Sequence, residues 1–267
     1  MLASKKIIVI VLCVLCTINN LKAQSISPGN EYLLIAENHK KNQKPDSALV
    51  YYEKAAFEFQ KQNNIEKFIH SYNQIGIVLT RQDKYKEAKT YLDKALATGL
   101  ASLDSNNLTI ATTYISLGVI HNAEENYDQS LKCHYKALSI RLYKLGAQDA
   151  LVATSYGNIG NVYRNSKDFD KSIDAHLKAM SIREHLFGTK SAEITESYVG
   201  LGHAFREKKE YMISLGYFEK ALKNKIIQLG ERHKDLAKHY NNISDVYYLM
   251  GIKEQGDLYK SKSEAVL

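Results

Sequence analysis

Residues 154–187 read TSYGNIGNVYRNSKDFDKSIDAHLKAMSIREHLF, and they contain two helical patterns separated by a short polar break. In the first pattern, apolar or small residues recur at helical spacing through Tyr156, Ile159 and Tyr163. The second pattern runs from Phe169 to beyond Ala179, and residues 165–168 between them are turn-forming. This stretch therefore predicts a helical hairpin.

The hairpin pattern repeats along the chain every 42 residues. Five columns of residues keep this step: Gly76, Gly118, Gly160, Gly202 and Ser244; Tyr72, Tyr114, Tyr156, Tyr198 and Tyr240; Ala95, Ala137, Ala179 and Ala221; Tyr85, Tyr127, Phe169 and Tyr211; and Gly146, Gly188 and Gly230. A less regular first unit, from Tyr32 to Ala55, precedes the second by 40 residues. Six hairpins are therefore predicted.

The two glycine columns predict different features of the hairpin. Glycine lowers helix propensity, so its recurrence inside the first helix, as at Gly160, indicates that the second helix packs closely there. Gly146, Gly188 and Gly230 follow the second helices, where a left-handed residue that ends a helix is most favourable as glycine. These glycines are predicted to separate successive repeats.

The order of residues within a unit, as in Tyr72, Ile75, Gly76, Ala88 and Ala95, resembles the tetratricopeptide repeat, in particular the 42-residue variety of kinesin light chains and many bacterial signalling proteins. The resemblance implies an all-α fold, a right-handed superhelical solenoid of about six helix–turn–helix units over residues 31–259. The expected units are 31–62, 69–102, 111–146, 153–188, 195–230 and 237–262, after a linker at 24–30 and before a polar tail at 260–267. Ser130, Ser172 and Ser214 depart from the family's alanine, and Ser244, Gly256 and Ser263 make the packing of the last unit uncertain.

In the family that this chain resembles, peptides lie in the concave groove against side chains of the first helices. The matching positions carry mostly amides and basic groups, which suit the main chain and acidic groups of a peptide. The residues at these positions are Asn73, Gln74, Arg81, Asn158, Asn161, Arg164, His203, Arg206, Asn241, Asn242 and Asp245. The alternative is that each is simply a solvated residue of an amphipathic helix. Ile115, Val119 and Ala123 interrupt the polar positions in the third unit and predict an apolar pocket.

The first 23 residues have the pattern of a secretory signal peptide. Lys5 and Lys6 precede an apolar run from Ile7 to Cys16, and cleavage is expected after Ala23. The alternative is an uncleaved membrane anchor, but the run is shorter than the roughly 20 residues that span a bilayer. We therefore expect an exported protein, periplasmic or secreted, with no membrane span after cleavage.

Composition excludes several kinds of partner for the mature chain. Removal of residues 1–23 takes away three lysines and no acidic residue, which lowers the formal net charge from +7 to +4. Lysines alternate with acidic residues along most of the chain, so no nucleic-acid partner is expected. Cys133 is the one cysteine that remains after cleavage, which excludes an internal disulfide and a multi-cysteine metal site. We expect no metal ion and no cofactor.

Catalysis is not expected from the sequence. His134 and His176 lie one period apart at a core position, where a packing role is favoured over that of a base. Cys133 and His134 are neighbours in a helix and so point about 100° apart. The chain has no His-Glu-x-x-His run, no phosphate-binding glycine loop and no nucleophile elbow.

The sequence predicts a protein–protein interaction scaffold that holds an extended peptide or protein partner in its groove. The alternative is a sensory or regulatory module of an envelope signalling system. The chain shows no later apolar run and no output domain, which favours a stand-alone adaptor. Self-association through the terminal units is a further expectation. Because this fold is used for many ligands, it does not name the partner.

Overall fold

The computed structural model describes residues 27–267, and these form twelve α-helices and one 3-10 turn. The predicted signal peptide, residues 1–23, lies outside the described residues. The helices are α1 Pro28–Lys41, α2 Pro45–Lys61, α3 Ile65–Arg81, α4 Tyr85–Ser102, α5 Leu108–Ala123, α6 Tyr127–Leu145, α7 Ala150–Asn165, α8 Phe169–Phe187, α9 Ala192–Glu207, α10 Tyr211–Leu229, α11 Ala237–Leu249 and α12 Lys253–Glu264. The 3-10 turn, Lys234–Leu236, precedes α11. The first helix thus includes residues of the segment predicted as a linker, and the last includes residues of the predicted tail.

Consecutive helices pack in pairs, and each pair packs against the next. The first helices of the middle units, α3, α5, α7 and α9, also contact one another in succession, so they line one side of the stack. The result is an α–α superhelix, which confirms the predicted fold class. The apolar clusters combine residues of adjacent units, so the core extends across the joints between hairpins.

In units two to five, the glycine of the first helix lies against a large side chain of the second helix. A Cβ atom added to Gly76 would lie 2.6 Å from the Leu92 side chain, and one added to Gly160 would lie 2.8 Å from the His176 ring. The same contact pairs Gly118 with His134 at 2.7 Å and Gly202 with Phe218 at 2.5 Å. These distances leave no room for a side chain on the glycine, so the helices of a hairpin approach as closely as their backbones allow.

A serine hydrogen bond reinforces this contact in three units. Ser130, Ser172 and Ser214 donate their hydroxyl hydrogens to the carbonyl oxygens of Gly118, Gly160 and Gly202, over 2.7, 2.8 and 2.7 Å. The last unit exchanges the two residues, because Ser244 lies in the glycine column and donates to the carbonyl of Gly256 over 2.8 Å. Ser263 then donates to the carbonyl of Ala237 over 3.0 Å. The serine and the glycine have therefore changed places between the two helices of the last unit, and the hydrogen bond between them is kept.

The joints between later units use the other glycine column. Gly146, Gly188 and Gly230 have φ of 80°, 80° and 81°, positive as expected. Their ψ values of 171°, 169° and 166° differ from the left-handed helical conformation that the sequence predicted. The chain leaves each second helix extended, in a region of φ and ψ that is open almost solely to glycine.

Two glycines of α7 allow a direct test of the close contact. Gly160→Ala is expected to lower the free energy of unfolding by about 1–3 kcal/mol, because the methyl group overlaps the His176 ring. A Cβ atom added to Gly157, three residues earlier, would have no neighbouring atom within 4 Å. Gly157→Ala should therefore raise the free energy of unfolding by about 0.5–1 kcal/mol, because alanine has the higher helix propensity. Urea unfolding followed by circular dichroism measures both changes. Equal effects at the two positions would contradict the packing role of Gly160.

Candidate functional site

A cavity of about 710 Å³ opens on the side of the first helices, in units four to six. Its walls come mainly from α7, α9 and α11, the first helices of those units. Five of the predicted partner-binding residues line it, and all five are half-buried: Asn158, Asn161, Arg164, His203 and Asn242. The repeat brings these side chains together because each occupies a similar position on a helix stacked beside the next.

Arg206, Asp245 and Asn241 lie outside the lining of this cavity. The Arg206 guanidinium pairs with Glu207 at 2.9 Å and lies 3.7 Å from the Asp245 carboxylate, which links α9 to α11. Asn241 is exposed on α11. The ion pair from Arg206 to Asp245 therefore bridges two first helices.

The predicted residues of the second unit are separate from this cavity. Asn73 is fully buried, where its amide donates to the carbonyl of Thr109 over 3.2 Å and accepts from the Thr113 hydroxyl over 2.8 Å. Its interpretation as a groove residue is therefore corrected, because its side chain joins α3 to α5. Gln74 accepts a hydrogen bond from Lys40 over 2.9 Å, and exposed Arg81 lines a different cavity of about 450 Å³. In the third unit, Val119 and Ala123 are exposed and Ile115 is half-buried.

Charged residues that the sequence analysis did not single out also line the large cavity. Together with Arg164, they give it four basic and two acidic side chains. The additional ones are Arg183, Lys225, Lys238, Glu193 and Glu196. Arg183 donates to the Ser197 hydroxyl over 2.8 Å and to the Glu196 carboxylate over 3.0 Å. The cavity therefore carries a net positive charge when its histidines are neutral.

Three histidines from three helices line the cavity, namely His176 of α8, His203 of α9 and His239 of α11. Burial lowers the pKa of His176 to about 3, with further lowering by Arg164, Arg183 and His203. Burial likewise lowers the pKa of His203 and of His239 to about 4, assisted by neighbouring arginines and lysines respectively. All three rings are neutral at pH 7.

The His176 ring owes its position to glycines on both sides. A Cβ atom on Gly160 of α7 would lie 2.8 Å from it, and one on Gly200 of α9 would lie 2.5 Å from it. The ring is 3% exposed, and its Nε2 atom has no hydrogen-bond partner among the described residues. The packing position predicted for His176 is confirmed by its burial, and the ring also lines the cavity.

Residues 27–267 show no arrangement typical of a metal site or a reactive thiol. No group of three or more His, Cys, Asp or Glu side chains among them is placed to hold a metal ion. Cys133 is half-buried, and burial raises the pKa of its thiol, which disfavours the reactive thiolate. No helix in the same range is both long and apolar enough to cross a bilayer.

Comparison with known families identifies the repeat. The tetratricopeptide repeat model matches residues 67–142, 109–185 and 151–225, which together span more than half of the chain. The chain belongs to the tetratricopeptide repeat family. No curated protein matches the chain significantly.

Solved structures share the tetratricopeptide repeat architecture at low sequence identity. BtubC from P. vanneervenii is similar with a TM-score of 0.67 and 14% identity, over 86% of this chain and 90% of that one. A putative kinesin light chain from Podosopora anserina is similar with a TM-score of 0.63 and 12% identity, over 74% of this chain and 94% of that one. The APC/C hetero-tetramer Cut9–Hcn1 gives 0.65 and 17%, over 93% of this chain and 42% of the matched chain. The relation to kinesin light chains confirms the repeat variety suggested by the sequence.

Four buried histidines, His134 and the three of the cavity, predict an acid-sensitive fold. Their pKa values of about 4 or below lie under the ordinary 6.5, so the unfolded chain binds more protons between these values. Stability is therefore full above pH 6.5 and falls as the pH falls, by on the order of 1 kcal/mol per histidine between pH 7 and 5. Urea unfolding at the two pH values measures the loss.

The matched variant for this prediction is His134→Leu, which copies Leu92 one period earlier in the same column. It should remove one histidine's part of the pH dependence, because leucine has no proton to bind. An equal loss of stability in the parent and in this variant would contradict the assignment.

Proposed function

We propose that this protein is a non-catalytic adaptor that holds an extended segment of a partner protein in the groove of units four to six. The observation that carries this proposal is the cavity of about 710 Å³, in which Asn158, Asn161, Arg164, His203 and Asn242 meet. A side-chain amide offers both a donor and an acceptor, as the backbone of an extended peptide does, so these amides match a peptide's main chain without requiring one sequence.

The family and the fold support a binding role. Tetratricopeptide repeats stack into a superhelix with an extended concave surface, which is the surface that such solenoids use for binding. The Cut9–Hcn1 structure is a hetero-tetramer, and one of its chains contains a region of similar architecture. An adaptor requires such a surface on a packed scaffold, and the stacked helix pairs of residues 27–267 support this role.

An affinity experiment tests the groove. The variant carrying Asn158→Ala and Asn161→Ala removes two amides from the cavity, and the control carrying Gln60→Ala and Gln129→Ala removes two exposed amides from second helices. Immobilised parent protein is expected to retain a partner from an extract of the source cell, the control should retain it equally, and the groove variant should retain about tenfold less. Quantitative mass spectrometry measures the retained proteins, and circular dichroism checks that each variant folds.

The adaptor proposal fails if the groove variant and the control retain the same proteins at the same level. A partner that is lost only from the control would assign binding to the second helices. A sensory or regulatory module remains the alternative prediction for the function. Self-association through the terminal units also remains a prediction.

We also propose that the protein is exported, on the basis of Lys5, Lys6 and the apolar run that follows them. The mature protein is then expected to begin at Gln24 and to reach the periplasm or the medium. Intact-mass measurement of the full chain after expression in a bacterial host checks the N-terminus, with Ala23→Arg as the variant that should block cleavage. A chain that keeps residues 1–23 in the parent would contradict the proposal.

A further inference from the structure

The joint between units five and six departs from the two joints before it. In those, an arginine at the end of a second helix donates to a serine of the next first helix: Arg141 to Ser155 over 2.9 Å, and Arg183 to Ser197 over 2.8 Å. One period later the same two positions hold Lys225 and His239. Both nitrogens of the His239 ring are buried without a hydrogen-bond partner among the described residues.

The cavity collects further nitrogen atoms of this kind. His176 Nε2 and His203 Nδ1 are also buried without a hydrogen-bond partner within residues 27–267. His239 is 2% exposed and His176 is 3% exposed, and both line the cavity. A buried polar group without a partner destabilises a protein, so a polar ligand that pairs with these nitrogens would be bound more tightly.

The groups that face each histidine are predominantly cationic. The pKa of His176 is lowered by burial, by the charges of Arg164 of α7 and Arg183 of α8 and by the His203 ring of α9. The pKa of His203 is lowered by burial and by Arg164 and Arg206. The His203 ring packs edge-to-face on Phe218 of α10, with 5.0 Å between the ring centroids. The pKa of His239 is lowered by burial, by Lys238 of α11 and by Lys225 of α10. Asp235 of the 3-10 turn raises it. Glu193 and Glu196 of α9 complete the charged lining, and Glu196 already pairs with Arg183.

We propose that this part of the cavity, centred on Lys225 and His239, is an anion-binding subsite of the groove whose affinity rises as the pH falls. The proposal rests on the groove being the binding surface. The ligand chemistry is a compact carboxylate, supplied either by an acidic side chain of the partner segment or by a free small carboxylic acid.

Proton uptake explains the pH dependence. In the free protein, burial and the surrounding cations keep the three rings neutral, so they add no charge to the cavity. A bound carboxylate brings a negative charge beside them, which favours the protonated ring and gives both nitrogens a hydrogen to donate. Affinity then rises up to about tenfold per pH unit for each proton taken up on binding.

Proton NMR of the histidine rings tests the subsite directly. The probes are succinate and a blocked Gly-Glu-Glu-Gly tetrapeptide, with blocked Gly-Gln-Gln-Gly as the uncharged control. At saturating probe, the titration midpoint of His239 is expected to rise from about 4 to about the ordinary value of 6.5. The dissociation constant should be at least about fivefold lower at pH 5.5 than at pH 7.5.

The matched variant restores the ordinary joint. Lys225→Arg with His239→Ser copies Arg183 and Ser197, a pair that this fold already accommodates, so the variant is expected to fold. It should abolish the pH-dependent part of probe binding.

A second pair of variants tests the cavity volume. Gly157→Met places a side chain from α7 into open space beside the cavity, and Gly216→Met on α10 does so away from it. The first should weaken probe binding about tenfold, and the second should not.

Each outcome bears on the proposal. A shift with the acidic peptide alone supports a side chain of the partner as the ligand, and a shift with succinate as well supports a free carboxylate as sufficient. The proposal is overturned if neither probe moves the His239 midpoint, or if the pH dependence of probe binding persists in the joint-restoring variant. Retention of a protein partner together with no probe effect would overturn this subsite only, whereas loss of groove-dependent retention would overturn the adaptor function.

Discussion

Units two to five of this protein each depend on the contact between a glycine in the first helix and a large side chain in the second helix. The Cβ positions at Gly76, Gly118, Gly160 and Gly202 are filled by Leu92, His134, His176 and Phe218. Because no side chain separates the helices, the backbones approach closely, and apolar clusters form that combine residues of adjacent units. In the fourth unit the same contact fixes a histidine at the wall of the groove, so packing and the candidate site share a residue.

The candidate site arises where the repetition is incomplete. An arginine and a serine satisfy each other at two successive joints, and the third joint replaces them with Lys225 and His239. The scaffold stays intact because the exchange of Ser244 and Gly256 preserves the close packing of the last hairpin. Local departures from a consistent pattern are expected at functional positions, where stability is traded for binding.

The fold could be predicted from the sequence because the period of 42 residues repeats every packing requirement several times. The side of a helix that a polar residue faces was harder to predict. Asn73 occupies a family binding position, yet the direct contact between α3 and α5 buries it against Thr113. The sequence shows that Lys225 and His239 occupy the positions of Arg183 and Ser197 one period later. It does not show that Arg183 and Ser197 are hydrogen-bonded to each other, and the importance of the replacement depends on that contact. That contact joins residues of different units, so periodicity alone does not give it.

Site-specific photo-crosslinking tests the central claim, binding in the groove of units four to six, most directly. A benzophenone amino acid replaces Asn161 on the groove side in one variant and Gln129 on the second-helix side in another, both in an otherwise unchanged chain. On irradiation in an extract, position 161 is expected to give a discrete crosslinked partner that position 129 does not give. A partner crosslinked from position 129 alone, or equally from both positions, would contradict the account.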